Sequence, residues 1–249
     1  MAIKILTNPD ERNDPPQPLL VHLLALRQMV FQMALAWICC AIIAGIFSPS
    51  ILAWLKSPAA ADQKLLQGLD LTSGFDVFLS IAVWGGTAIS FPFLVNAILR
   101  FVFPALTKKE KFVILSILII GTFFFLGGAT LAYSKTLPVI VTALQDINNW
   151  MGLPVETVRI EGYIAIVLKT IIAFGLVFQM PIVLFVLGWM GLVTSEGLRK
   201  HRRGAIVLFF ILAMFLTPPD PMSQIIMAVP LCLLYELSIW AIWLRERAA

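Results

Sequence analysis

Between residues 28 and 243 the chain is a succession of apolar runs parted by short polar turns. The runs at about 28–50, 75–103, 112–138, 160–191 and 221–243 are each long enough to cross a hydrocarbon core of about 30 Å as a helix. A sixth run, "AIVLFFILAMFLT" at 205–217, reaches only about 20 Å at 1.5 Å per residue. None alternates as a barrel strand does, so the backbone in lipid must be satisfied within helices. The pattern predicts an all-α polytopic membrane protein with six transmembrane helices. Its 1–249 length reads as one transmembrane domain: a tail and interfacial segment over 1–27, a membrane region over 28–243, and a second tail over 244–249. The first 18 residues, "MAIKILTNPDERNDPPQP", are polar and proline-rich, and read as a tail and not as a removable signal peptide.

Composition strengthens the membrane reading. Apolar residues make up 60% of the chain and mean hydropathy is +0.93, far outside the soluble range. The formal charge of +4 is explained by topology. Thirteen of the eighteen Lys and Arg residues fall in the N-terminal tail, the 100–111 loop, "LRKHRR" and the C-terminus. By the positive-inside rule these segments and both termini are cytoplasmic. Cys39, Cys40 and Cys232 lie inside apolar runs without metal-ligand spacing and read as packing residues.

Several positions ask for a reason. Prolines interrupt or end nearly every span: Pro92 in the second, Pro138 closing the third, Pro181 in the fourth, and Pro230 in the sixth. Each lacks an N–H and bends its helix, which together suits a curved, cupped wall. Pro218 and Pro219 stop the fifth helix, and Asp220 with Pro221 opens the sixth as N-cap and first helical residue. A short fifth span implies a locally thin bilayer beside it. Gln179, mid-span, is either an interhelical tie or the lining of a polar cavity. Lys169 is placed to snorkel outward, and Glu236 to pair with an arginine near the basic surface. In "LTKKEKF" the lone acid Glu110 sits among three lysines. It is a solvated turn or a carboxylate open to a guanidinium. "PLLVHLLALRQ" is an amphipathic interfacial stretch that holds Leu23 and Arg27 near the headgroups.

Walker A, HExxH and serine-elbow motifs are all missing from the sequence, and the two histidines are not spaced for haem. No cofactor, metal or nucleic-acid partner is expected.

Six stretches in order then resemble one family, TatC, the multispanning receptor subunit of the twin-arginine protein translocase. They are "HLLALR" (22–27), "FPALTKKEKF" (103–112), "FGLVFQMPI" (174–182), "GLVTSEGLRKHR" (191–202), "LTPPDPMSQ" (216–224) and "LLYE" (233–236). The resemblance implies a cupped bundle of six helices in the bacterial cytoplasmic (inner) membrane, with both termini cytoplasmic. It implies a non-enzymatic function: capture of twin-arginine signal peptides of folded cargo, and recruitment of single-span TatA/TatB-type subunits in a hetero-complex containing several copies of this chain, driven by the proton gradient. Carried over, it makes Glu110 the carboxylate partner of the arginines, with Leu23, Arg27, Phe101 and Pro104 shaping the patch. Gln179 beside Pro181 would meet the signal peptide or a partner's helix. Thr217, Asp220 and Gln224 would form a docking edge. The family's usual glutamate before "LR" is Ala25 here, and near its acid before the fourth span stand Arg159 and Glu161. The alternative reading from the residues is a small-solute secondary transporter using Gln179 and Lys169, which lacks the repeat symmetry such proteins show.

Overall fold

The computed structural model of the chain describes residues 19–57, 66–102, 108–153, 157–216 and 221–248. At 19–22, 102, 108–114, 215–216, 222–223 and 248 it describes the backbone alone. The fold is helical, as the hydrophobic pattern predicts. Helix α1 (Leu19–Ile46) is followed directly by α2 (Ser48–Leu55). Helix α3 (Ser73–Ser80) passes through a π turn (Ile81–Gly85) into α4 (Gly86–Val102). Helix α5 (Lys108–Leu131) passes through a second π turn (Ala132–Thr136) into α6 (Leu137–Trp150). Then come α7 (Ile160–Val177), α8 (Met180–Trp189), the short α9 (Ser195–Lys200), α10 (Arg202–Leu216) and α11 (Pro221–Ala248). Two parallel two-residue strands, β1 (Leu66–Gln67) and β2 (Val158–Arg159), tie the loops at the end opposite the basic residues.

Among the described residues five helical stretches are long and apolar enough to cross a membrane. They are Leu23–Ile46, Ser73–Phe101, Leu115–Trp150, Ile160–Trp189 and Gln224–Arg247. Helix α10, at 15 residues, is the short run foreseen in the sequence. One expectation about the prolines fails. Pro138 does not end the third span: the helix continues 12 residues beyond it, to Trp150. The preceding π turn is the reason. Its last bond runs from Leu137 N–H to Ala132 O, and Pro138 then falls in the first turn of α6, where a missing N–H is tolerated. Ser134 Oγ donates to Thr130 O (2.8 Å) and Thr142 Oγ1 to Pro138 O (2.9 Å), so hydroxyls on this stretch also serve its carbonyls. The C-terminal stretch from 244, read as a tail, is the last turn of α11.

Pro181 behaves as the sequence suggests. It sits in the first turn of α8, just after a break at Phe178–Gln179 that separates α7 from α8. Pro92 and Pro230 lie within α4 and α11.

The core runs along α7. Ile164, Val167, Leu168 and Phe174 are buried against Leu55, Val77, Ile81 and Leu137 from neighbouring elements. Glycines set the closest approaches. A Cβ on Gly128 of α5 would stand 2.7 Å from Phe174 O, and one on Gly86 of α4 would stand 2.6 Å from Ala41 Cα. Helices in lipid associate through dispersion contacts, so backbone proximity at small residues is what holds these pairs. The aromatic residues pin the far end: Tyr133 stacks on Trp54 with ring centroids 4.0 Å apart, and its OH donates to Trp54 O at 2.6 Å.

Candidate functional site

The basic end of the molecule gathers the residues singled out near its first loop. Helices α1 and α4 pack side by side, with Trp37 Nε1 donating to Thr87 Oγ1 (3.0 Å) and Ala41 against Gly86. That antiparallel register carries Arg27 level with Arg100 and Phe101. Leu23 is 58% exposed and Arg27 is exposed, while Phe101 is half-buried at the end of α4. Arg100 Nε donates to Asn96 Oδ1 at 3.2 Å, which holds its guanidinium along the helix. Helix α5 begins at Lys108, so the backbone of Glu110 belongs to its first turn. There a carboxylate complements the positive end of the helix dipole. The Glu110 side chain, Pro104, Thr217 and Asp220 lie outside the described residues.

The mid-membrane site is built at the α7–α8 break. Gln179 Nε2 donates to Gly121 O of α5 (3.0 Å) and to Gly175 O one turn back (3.3 Å). The amide is therefore an interhelical tie, one of the two roles open to it from sequence. Both of its N–H donors are used, and Oε1 accepts no hydrogen bond among the described residues. Gly121 leaves room for that oxygen, which would stand 3.3 Å from a Cβ there. Lys169, about three turns nearer the far end, is exposed and makes no ion pair among the described residues.

At the far edge of the last two helices, Gln224 is half-buried and its Nε2 donates to Phe210 O at 2.9 Å, joining α11 to α10. Beside it Ile225 and Val229 of α11, and Leu208, Ile211 and Leu212 of α10, point outward. The edge is thus apolar with one amide spent inside it.

Two arrangements escaped the sequence reading. The first is a clasp at the basic end. Helix α8 closes with Gly191 at φ +75°, where Leu192 N–H reaches Leu187 O (3.0 Å), a glycine-terminated helix end. Arg245 of α11 donates to the last carbonyls, Gly188 O at 2.6 Å and Trp189 O at 3.0 Å. Its neighbour Glu246 accepts from Ser195 N–H (2.9 Å) and Ser195 Oγ, at the start of α9. The Arg199 and Arg247 guanidiniums each lie over the Trp243 ring, 5.8 and 3.9 Å from its centre. Arg202 and Glu236 form the expected pair at 2.7 Å. The second arrangement is at the opposite end, where Arg159 pairs with Asp70 at 3.1 Å. Glu161 stands in the first turn of α7, and its Oε2 is buried without a partner among the described residues. The "RER" near the C-terminus was a visible cue to the clasp; the Asp70–Arg159 pair, 89 positions apart, left none.

The profile of the family described as "Sec-independent protein translocase protein (TatC)" matches residues 21–230. The chain belongs to the TatC family. This TatC-family chain is 32% identical to the Sec-independent protein translocase protein TatCy of Bacillus subtilis, over 89% of its own length and 87% of the relative's. It is 33% identical to the TatC protein of Carboxydothermus hydrogenoformans, over 91% and 93%, and 32% identical to that of Aquifex aeolicus, over 90% and 93%. A solved structure described as the twin-arginine translocase receptor TatC superposes with a TM-score of 0.77 at 32% identity, covering 90% of this chain and 98% of the other. The all-α membrane fold expected from the resemblance is therefore the observed one. The chain is a multi-pass TatC protein of the bacterial inner membrane and a component of a protein translocase.

Proposed function

We propose that this chain is the signal-peptide receptor of a twin-arginine translocase, a binding scaffold with six spans and both ends in the cytoplasm. Arginines of the signal peptide meet Glu110 at the first turn of α5, and the adjoining apolar face of Leu23 and Phe101 takes the residues beside them. The peptide enters as a hairpin between the helices, and Gln179 offers at mid-depth its Oε1, which accepts no hydrogen bond among the described residues. Single-span partner subunits dock along the apolar α10–α11 edge near Gln224, with Thr217 and Asp220 taking part, where the short α10 leaves the bilayer thin. Together they move folded cargo, driven by the proton gradient.

The observation that supports this most is the register of α1 against α4. It brings Leu23, Arg27 and Phe101 to the end of the molecule where α5 begins with the only acid in a lysine-rich turn. The transporter reading loses its polar pathway, because the Gln179 donors are committed to helix carbonyls. Binding of arginine-pair and lysine-pair signal peptides to the purified protein tests the proposal. A planar bidentate guanidinium pair outlasts an ammonium at a carboxylate, so the arginine peptide binds about tenfold tighter. Glu110→Gln removes most of that difference, about 1.5 kcal/mol for a hydrogen bond to a charged group. Equal binding of the two peptides by the unaltered protein rejects the proposal.

A further inference from the structure

A cleft of about 610 Å³ opens between α6 and the outer turns of α7. It exists because α5 does not stop at Pro138: α6 continues past the bundle and packs on α11, standing away from α7. Ile140, Ile166 and Val167 form its apolar wall, and Gln145, Asn148 and Asn149 its rim. Arg159 also lines it, but Asp70 holds that guanidinium at 3.1 Å, so the rim carries no net charge from this pair. A neutral rim of amides disfavours a phosphate or other anion. Side-chain amides both donate and accept, which is the complement of a peptide backbone. No side chain crowds the backbone at Gly162, since a Cβ there would meet nothing within 4 Å.

The receptor reading requires something at this end of the molecule. A hairpinned apolar peptide that enters from the basic end must reverse direction near the opposite one. Its turn carries backbone N–H and C=O groups with no helical partners, and irregular backbone at membrane depth persists only where protein or a water-lined cavity satisfies it. From Val167 in the cleft to Trp189 at the basic end, α7 and α8 together rise at most about 33 Å, less whatever the break at Phe178–Gln179 takes away, which is on the scale of a hydrocarbon core. We infer that the α6–α7 cleft receives the turn of the hairpinned signal peptide, with Gln145, Asn148 and Asn149 pairing its backbone and Ile140, Ile166 and Val167 holding its apolar flank. This rests on the receptor reading and adds to it the place where the far end of the substrate is held.

Site-directed disulfide linkage separates the two claims. The full chain, with Cys39, Cys40 and Cys232 replaced by Ala, is assembled with its partner subunits in membrane vesicles. It carries either Asn148→Cys in the cleft or Leu23→Cys at the basic end. The probe is a synthetic twin-arginine signal peptide with one cysteine, placed either at the middle of its apolar segment or beside the arginines. Asn148→Cys links the mid-segment cysteine at least about tenfold more than the arginine-side cysteine, because only a seated turn gives a high effective concentration there. Leu23→Cys shows the reverse preference. Linkage at Leu23→Cys with none at Asn148→Cys, or at a second cleft variant Gln145→Cys, overturns the cleft assignment and leaves peptide capture standing. Absence of linkage at both ends overturns capture and the cleft together. Recovery of the cleft variants with a phospholipid that the peptide does not displace also overturns the assignment.

Discussion

Helices α1 and α7 are both apolar and long, and the protein uses them in opposite ways. In α7, 11 of 18 residues are buried, whereas only 17% of the first span's most apolar window is buried. Helix α7 is an internal strut. Gly128 of α5 lies against its Phe174 carbonyl, the Phe125 ring of α5 lies against its Gly175, and Tyr163 OH bonds Leu55 O at 3.2 Å. Helix α1 packs through one stripe that includes Cys40, Ala41 and Ala44, and turns Phe31, Leu35, Ile38 and Ile42 outward. Apolar character is thus required of both helices by the membrane, but shape is required only of α7. What binds a partner or a peptide must therefore be sought on the outward faces and at the breaks, such as the Arg27 end of α1 and Gln179 at the end of α7.

That contrast can be broken at its strongest point by Gly128→Val. The new side chain meets the Phe174 carbonyl oxygen and the Phe178 ring, each 2.7 Å from its Cβ, so α5 and α7 must part. Overpacking of this kind costs about 3 kcal/mol, and the purified variant should show a much lower thermal midpoint in detergent. A midpoint equal to that of the unaltered protein would mean that α7 is not the strut described. A smaller effect is expected from Gln179→Leu, which removes two hydrogen bonds in the membrane interior. Such ties are worth about 0.6–2 kcal/mol in total, so the midpoint falls modestly, and Gln179→Glu, which keeps an acceptor but not the donors, should not restore it. The smallest is Phe31→Ala on α1. At 67% exposure the ring faces outward, and the change should stay within about 0.5 kcal/mol; a large loss would show that α1 is packed on a second face.

Much of this molecule follows from solvent physics that acts on short stretches. A hydrocarbon slab demands about 20 apolar residues per crossing, so the spans, the shortness of α10 and the break at Pro181 are legible one segment at a time. The pairing of Glu236 with an arginine was legible for a related reason, since a lone acid beside a basic loop has few other partners. Side-chain chemistry likewise marked Gln179, though not which of its two uses the fold would choose. That choice needed Gly121 of α5 to stand beside the α7–α8 break.

Other features were decided only when distant segments met. Pro138 reads as a stop because a lone helix cannot carry it, yet a π turn wedged between α7 and α11 lets the chain run on. The Asp70–Arg159 pair, the Arg245 and Glu246 clasp, and the α6–α7 cleft each join residues remote in sequence. Local composition sets which segments enter lipid, because that transfer is scored residue by residue. Where helices bend, touch or stand apart is set by close packing and by backbone groups that must find partners, and those are properties of pairs of segments.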